Sequence, residues 1–294
     1  MGRVSSPHDR MTALAVGLPT WHPHPSVWVV VLGLEGLYLL ALARHGPRHV
    51  EPGERPASGG QIALFTAGVA VVLVGAEWPV HELAERYLYS VHMLQHILFT
   101  LVAAPLLLAG TPGWLARALL RPVMPVARVL LRPFFAFVIF NLVLVLSHWP
   151  AVVDLTVRSE LAHFVAHAIL LGSALIMWWP VFSPIAEIPR LSHPAQMLYL
   201  FLQSIIPTVP ASFLTFGSTL LYPIYGTFPR LGGITALTDM HVAGLVMKIV
   251  GGFILWGVIA TLFFRWYHLE QSGEPDVVEW QSVERELNRM RAKS

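Results

Sequence analysis

The chain has 294 residues, of which 55% are hydrophobic and 12% charged, whereas soluble domains carry about a quarter charged residues. With a mean hydropathy of +0.62 and a net charge of +2, it is neither a disordered chain, nor a nucleic-acid binder built on basic patches, nor a soluble globular enzyme. It contains no cysteine, so disulfides, thiolate metal sites and cysteine nucleophiles are excluded, leaving His, Met and carboxylates for metal or redox chemistry.

In chain order, a first apolar stretch at residues 11–18 is brief and lacks a small-residue cleavage site before Trp21, so a cleaved signal is not expected. Seven runs then follow, of about the 20-residue length that crosses a hydrocarbon core. They lie at residues 26–44, 61–80, 89–109, 134–149, 160–181, 195–216 and 239–264, and the fourth is the shortest. The prediction is an all-α polytopic membrane protein: a seven-helix bundle over residues 26–264, with an extracytoplasmic segment at 1–25 and a cytoplasmic tail at 265–294. Pro105 in the third run and Pro207 and Pro210 in the sixth each remove a backbone donor, which predicts kinks. Residues 46–60, rich in Pro, Gly and Glu, read as a loop. Residues 277–290 place Val278, Trp280, Val283 and Leu287 at helical spacing among charges, the pattern of a helix lying on a surface. There is no internal repeat, P-loop or dinucleotide fingerprint.

Orientation follows from the loops, because Lys and Arg in short connections are retained on the cytoplasmic side. Thirteen of the 19 Lys and Arg residues fall in the connections after the first, third and fifth runs and in the tail, and five on the opposite side. The N-terminus is expected outside and the C-terminus in the cytoplasm. Lys248 is the remaining one, inside the seventh run; its simplest role is to pair with Asp239 or with carbonyls freed near Pro207 and Pro210.

On this topology the 14 histidines separate. The third run opens with His92 and His96, and the fifth with His163 and His167, each an i, i+4 pair on one helical face. His148 closes the fourth run and His241 opens the seventh, so six histidines share one depth near the outer surface. His45, His49, His193 and His268 fall at the inner ends without forming a counterpart group. Polar side chains are costly in the bilayer unless they face the bundle interior, and imidazole is the commonest metal ligand. Any one of these residues alone is more simply an interfacial histidine; together they point to a metal site. Glu77, Glu82, Asp154 and Asp239 are candidates for orienting the imidazoles. Met93, Met240 and Met247 add soft thioethers at similar depth, a combination that leans toward Cu(I), although as single residues they also suit packing. His22 and His24 precede the first run and suit an exposed turn. Trp78, Trp149, Trp178, Trp179 and Trp266 read as interfacial belts, and Gln95, Asn141, Gln203 and Ser204 as hydrogen-bonding groups between helices.

The segment from Tyr89 through His92 and His96 to Ala104-Pro105 and Gly110-Thr-Pro112, with Trp178-Trp-Pro180, Leu221-Tyr-Pro-Ile-Tyr225 and Asp239, resembles the multi-spanning CtaG-type cytochrome c oxidase assembly factors associated with caa-type oxidases. The likeness runs from Trp21 to Phe264. It implies a multi-pass protein of the bacterial plasma membrane that helps mature a haem-copper oxidase, with an oxidase subunit and a copper donor protein as partners beside the membrane lipid, and no nucleic acid. His92, His96, His163, His167 and Asp239 are the residues carried over from the likeness, and Lys248 stands where an aromatic or apolar residue is expected.

Copper held at the outer histidines, without a catalytic role, is the first expectation. A membrane zinc hydrolase using the same histidines is the alternative, with three His on Zn and a carboxylate as base. A metal-free scaffold is the third possibility. Haem is disfavoured, because a transmembrane two-haem wire needs ligands about ten or more residues apart along each helix and these pairs are four apart.

Overall fold

The computed structural model describes residues 24–272. The expectations for residues 11–18, His22 and residues 277–290 lie outside the described residues. Every regular element among those described is helical.

Six helices are long and apolar enough to cross a membrane: span one (Pro25–Arg44), span two (Gly59–Ala76), span three (Tyr89–Gly110), span five (Glu160–Phe182), span six (His193–Phe216) and span seven (Ala236–Gln271). Span four (Pro133–Ser147) has 15 residues, about 22 Å at 1.5 Å per residue. It makes a seventh crossing only together with the preceding helical segment Gly113–Leu130, from which it bends by 88°. The starts are set locally. Ser58 and Gln61 form a reciprocal capping box on span two, Ser159 caps span five, Thr235 caps span seven, and Pro25 and Pro133 occupy first-turn positions that need no N–H. Span seven runs on past Phe264, about two turns beyond its expected end.

The kinks fall where the prolines predict. Span six breaks at residues 204–207, between helices His193–Gln203 and Thr208–Phe216. Span three widens into a π-helical turn over Leu98–Ala103, in which the Ala104 N–H donates to Phe99 O. In that ladder the carbonyl of Thr100 faces Pro105, which has no N–H, and Trp178 Nε1 donates to it instead at 2.8 Å. This corrects the belt assignment for two of the tryptophans. Trp178 is fully buried and Trp179 nearly so, its indole directed at Ile188 O, because each N–H has an internal carbonyl to satisfy. A second π-helical turn, Val246–Val250, carries Lys248. Lys248 Nζ donates to Thr208 Oγ1 at 2.5 Å, beside the break in span six. Asp239 is not its partner.

Span three is the centre of the bundle: 56% of its apolar window is buried inside the protein, against 17% for span one. Its neighbours approach closely through small residues. A Cβ on Gly68 would lie 3.0 Å from the Leu107 N, and one on Gly244 would lie 2.7 Å from Ala211 O. Gln95 donates to Gly75 O at 2.7 Å, and Asn141 to Gln203 Oε1 at 2.7 Å. Gln203 donates in turn to Tyr199 OH at 3.0 Å. These amides link helices as expected, whereas the Ser204 hydroxyl donates to Phe201 O one turn back in the same span.

Three contacts bring alternate helix ends together. His24, before span one, lies 3.9 Å from Glu77, after span two. Asp239, at the start of span seven, accepts from the backbone at the start of span three. Tyr222, after span six, donates to His148 O at the end of span four.

Candidate metal centre

At that end of the bundle the imidazoles converge. His92 and His96 occupy the first turns of span three, their ring centroids 4.4 Å apart, and His163 and His167 the first turns of span five, 4.2 Å apart. The pairs face each other, with His92 to His163 at 5.6 Å, His92 to His167 at 5.6 Å and His96 to His167 at 5.2 Å. One nitrogen each of His92, His163 and His167 lie within 4.8 Å of one another, close enough to share an ion. His163 Nε2 meets His167 Nδ1 at 3.1 Å. His92 Nδ1 and His167 Nε2 are buried with no hydrogen-bond partner among the described residues. Such orphaned nitrogens are costly in an apolar interior, and a bound cation would satisfy them.

His148 extends the group on one side, its ring 5.8 Å from His96. Its Nδ1 lies 2.7 Å from Leu144 O, and since a carbonyl only accepts, that nitrogen carries the proton. Nε2 then presents a lone pair, 3.3 Å from the sulfur of buried Met93. An imidazole nitrogen and a soft thioether face each other there. Below them, a cavity of about 60 Å³ is lined by Met93, His96, His148, Met177 and Met247.

On the other side the group reaches two residues that sequence reasoning missed. The short helix Val80–Arg86, between spans two and three, presents His81 and Glu85 one turn apart. Glu85 Oε1 approaches His163 Nδ1 to 2.5 Å, and Glu85 Oε2 lies 3.3 Å from His81 Nε2. Burial by itself raises the carboxyl's pKa, but hydrogen bonds and charge from His163 and His81 outweigh it and hold Glu85 well below the usual carboxylate range. The signal was legible: His81-x-x-x-Glu85 has the same i, i+4 spacing as the histidine pairs. His24 completes the row, its ring 4.5 Å from His81. Both carboxylate oxygens of buried Glu77 lack a hydrogen-bond partner among the described residues.

Other residues singled out in the sequence lie apart. His241 Nε2 donates to Gly217 O at 2.8 Å, and the Met240 sulfur accepts from Leu221 N at 3.2 Å. Asp154 pairs with exposed Arg158 at 2.8 Å, and Glu82 with Arg86 at 3.3 Å. Asp239 orients no imidazole. Its carboxylate accepts from Tyr89 N at 2.7 Å, Ser90 N at 3.2 Å and Ser90 Oγ at 2.5 Å. It thus caps the helix that carries His92 and His96, satisfying donors a helix start leaves free. Tyr222 and Tyr225 pack on Tyr89 at 4.8 Å each, so the Tyr-Pro-Ile-Tyr segment buttresses the same helix start.

Fold and site together define a polytopic helical membrane protein with a buried, multi-helix histidine centre. A family model described as cytochrome c oxidase caa3 assembly factor matches residues 36–268, and the chain belongs to that family. The matched segment includes every residue of the centre except His24. No curated protein and no solved structure matches the chain.

Proposed function

We propose that this assembly factor holds copper at the buried histidines on the outer face of a bacterial plasma membrane. It takes the ion from a donor protein and supports its insertion into a haem-copper oxidase subunit. The observation that carries the reading is the convergence of His92, His163 and His167 from two spans, with His92 Nδ1 and His167 Nε2 buried and without a hydrogen-bond partner among the described residues. Preference for copper over other borderline ions comes from Met93 against the free nitrogen of His148, since a thioether beside imidazole favours Cu(I). Facing rings 5.2 Å apart leave no slot between them for a porphyrin, which argues against axial haem ligation.

One observation favours the zinc alternative. Three imidazoles with a carboxylate, Glu85, beside a cavity of about 200 Å³ is a donor set that also suits hydrolytic zinc. The two readings separate in cells that depend on this chain for their caa3-type oxidase. When His92→Ala/His96→Ala replaces the wild type, the copper reading predicts oxidase that accumulates with depleted copper and recovers when copper is added to the medium. Oxidase fully loaded with copper in the variant would contradict it and leave the zinc reading or a metal-free scaffold.

A further inference from the structure

We infer that the centre holds two ions rather than one, joined by the imidazole of His163, with the second ion bound by His81 and Glu85. The inference rests on the metal-binding reading above and extends it to residues outside the six outer histidines. The two nitrogens of His163 point in different directions. Nε2 meets His167 Nδ1 at 3.1 Å, beside the unpartnered nitrogens of His92 and His167, and Nδ1 meets Glu85 Oε1 at 2.5 Å. Ligand atoms of His81, Glu85 and His163 lie within 4.8 Å of one another, as do those of His92, His163 and His167. One residue is therefore common to two complete three-donor groups.

The groups differ in chemistry and in access. The inner one is all nitrogen and continues through His96 and His148 to the Met93 sulfur, so it suits a soft ion. The second includes a carboxylate and is partly open, with His81 and Glu85 side chains 15% and 20% exposed. It faces the cavity of about 200 Å³ that His24, His81, Glu85, His163 and His167 help to line. That mixture of oxygen and nitrogen suits a divalent ion such as Cu²⁺ or Zn²⁺. An ion in the cavity has His81 and Glu85 in its wall, and His163 connects them to the buried group. For His163 to bind through both nitrogens it gives up its ring N–H, so binding of the second ion releases that proton to the buffer and leaves an imidazolate bridge between the ions. No oxidation or reduction is involved.

The test is the Zn²⁺ stoichiometry of the detergent-purified full chain, followed by electron paramagnetic resonance of the Cu²⁺-loaded form. The wild type is expected to bind two Zn²⁺ per chain. Glu85→Gln, which keeps the side-chain shape, and His81→Ala are each expected to bind one, as is His92→Ala/His167→Ala. The Cu²⁺-loaded wild type should give a signal that integrates well below its copper content, because an imidazolate couples the two spins. Two ions in the wild type with no loss in Glu85→Gln and His81→Ala would overturn the second site. So would a single ion lost only in His92→Ala/His167→Ala, a result that leaves the copper centre standing. A full-intensity signal from two Cu²⁺ would overturn the bridge. Failure of the wild type to bind any ion would overturn both this inference and the reading beneath it.

Discussion

Both ends of the bundle carry histidines, yet only one end assembles them. At the end opposite the centre, exposed His49 stacks on Trp114 of the connection after span three at 4.9 Å and its Nδ1 donates to His45 O at 2.9 Å, contacts that bring no histidine of another helix to it. At the end with the centre, seven imidazoles, from the residue before span one, spans three and five, the end of span four and the helix before span three, follow one another at ring distances of 4.2–5.8 Å. The difference teaches that neither residue type nor depth makes a candidate site. Convergence from separate helices, with nitrogens left unpartnered, is what costs folding energy and so needs a function to explain it.

The comparison breaks if the two ends respond alike to substitution. The largest expected effect is on metal binding. His163→Ala should weaken copper affinity more than about 100-fold, beyond the loss typical of residues that merely orient a ligand, whereas His45→Ala/His49→Ala should leave it unchanged in a chelator competition. Asp239→Ala comes next. It strips the cap from the helix bearing His92 and His96, and it should lower stability in detergent by about 2–3 kcal/mol, seen as a lower Tm, with weakened metal binding because that helix start loosens. A smaller loss, about 1–2 kcal/mol, is expected for Trp178→Phe, which leaves Thr100 O without its donor. Copper stoichiometry should survive that change, since Trp178 lies outside the imidazole group. Arg158→Ala, which removes an exposed ion pair with Asp154, should leave both Tm and metal binding where they were, as exposed pairs contribute little.

Hydropathy made the spans legible, because a segment that satisfies its own backbone in lipid must be both apolar and long. The prolines marked the breaks in spans three and six for the same backbone reason. The four central histidines were legible from i, i+4 spacing, which places two rings on one face whatever the neighbours do. Which way that face turns is a matter of packing. His241 and Met240 sit at the expected depth, but Asp239 is tied to Tyr89 and Ser90, and span seven directs those two side chains to Gly217 and Leu221 instead. His81 and Glu85 escaped notice because they lie in a seven-residue helix between spans, where hydropathy carries no information. The burial of Trp178 depended on a carbonyl that only the π-helical turn of span three sets free.

The most direct measurement of the central claim is the metal content and visible absorption of the detergent-purified protein after copper or zinc loading, beside His92→Ala/His96→Ala. The account predicts copper retained by the wild type and lost from the variant, with no haem Soret band in either. Equal copper in both proteins, or none in the wild type, would contradict it.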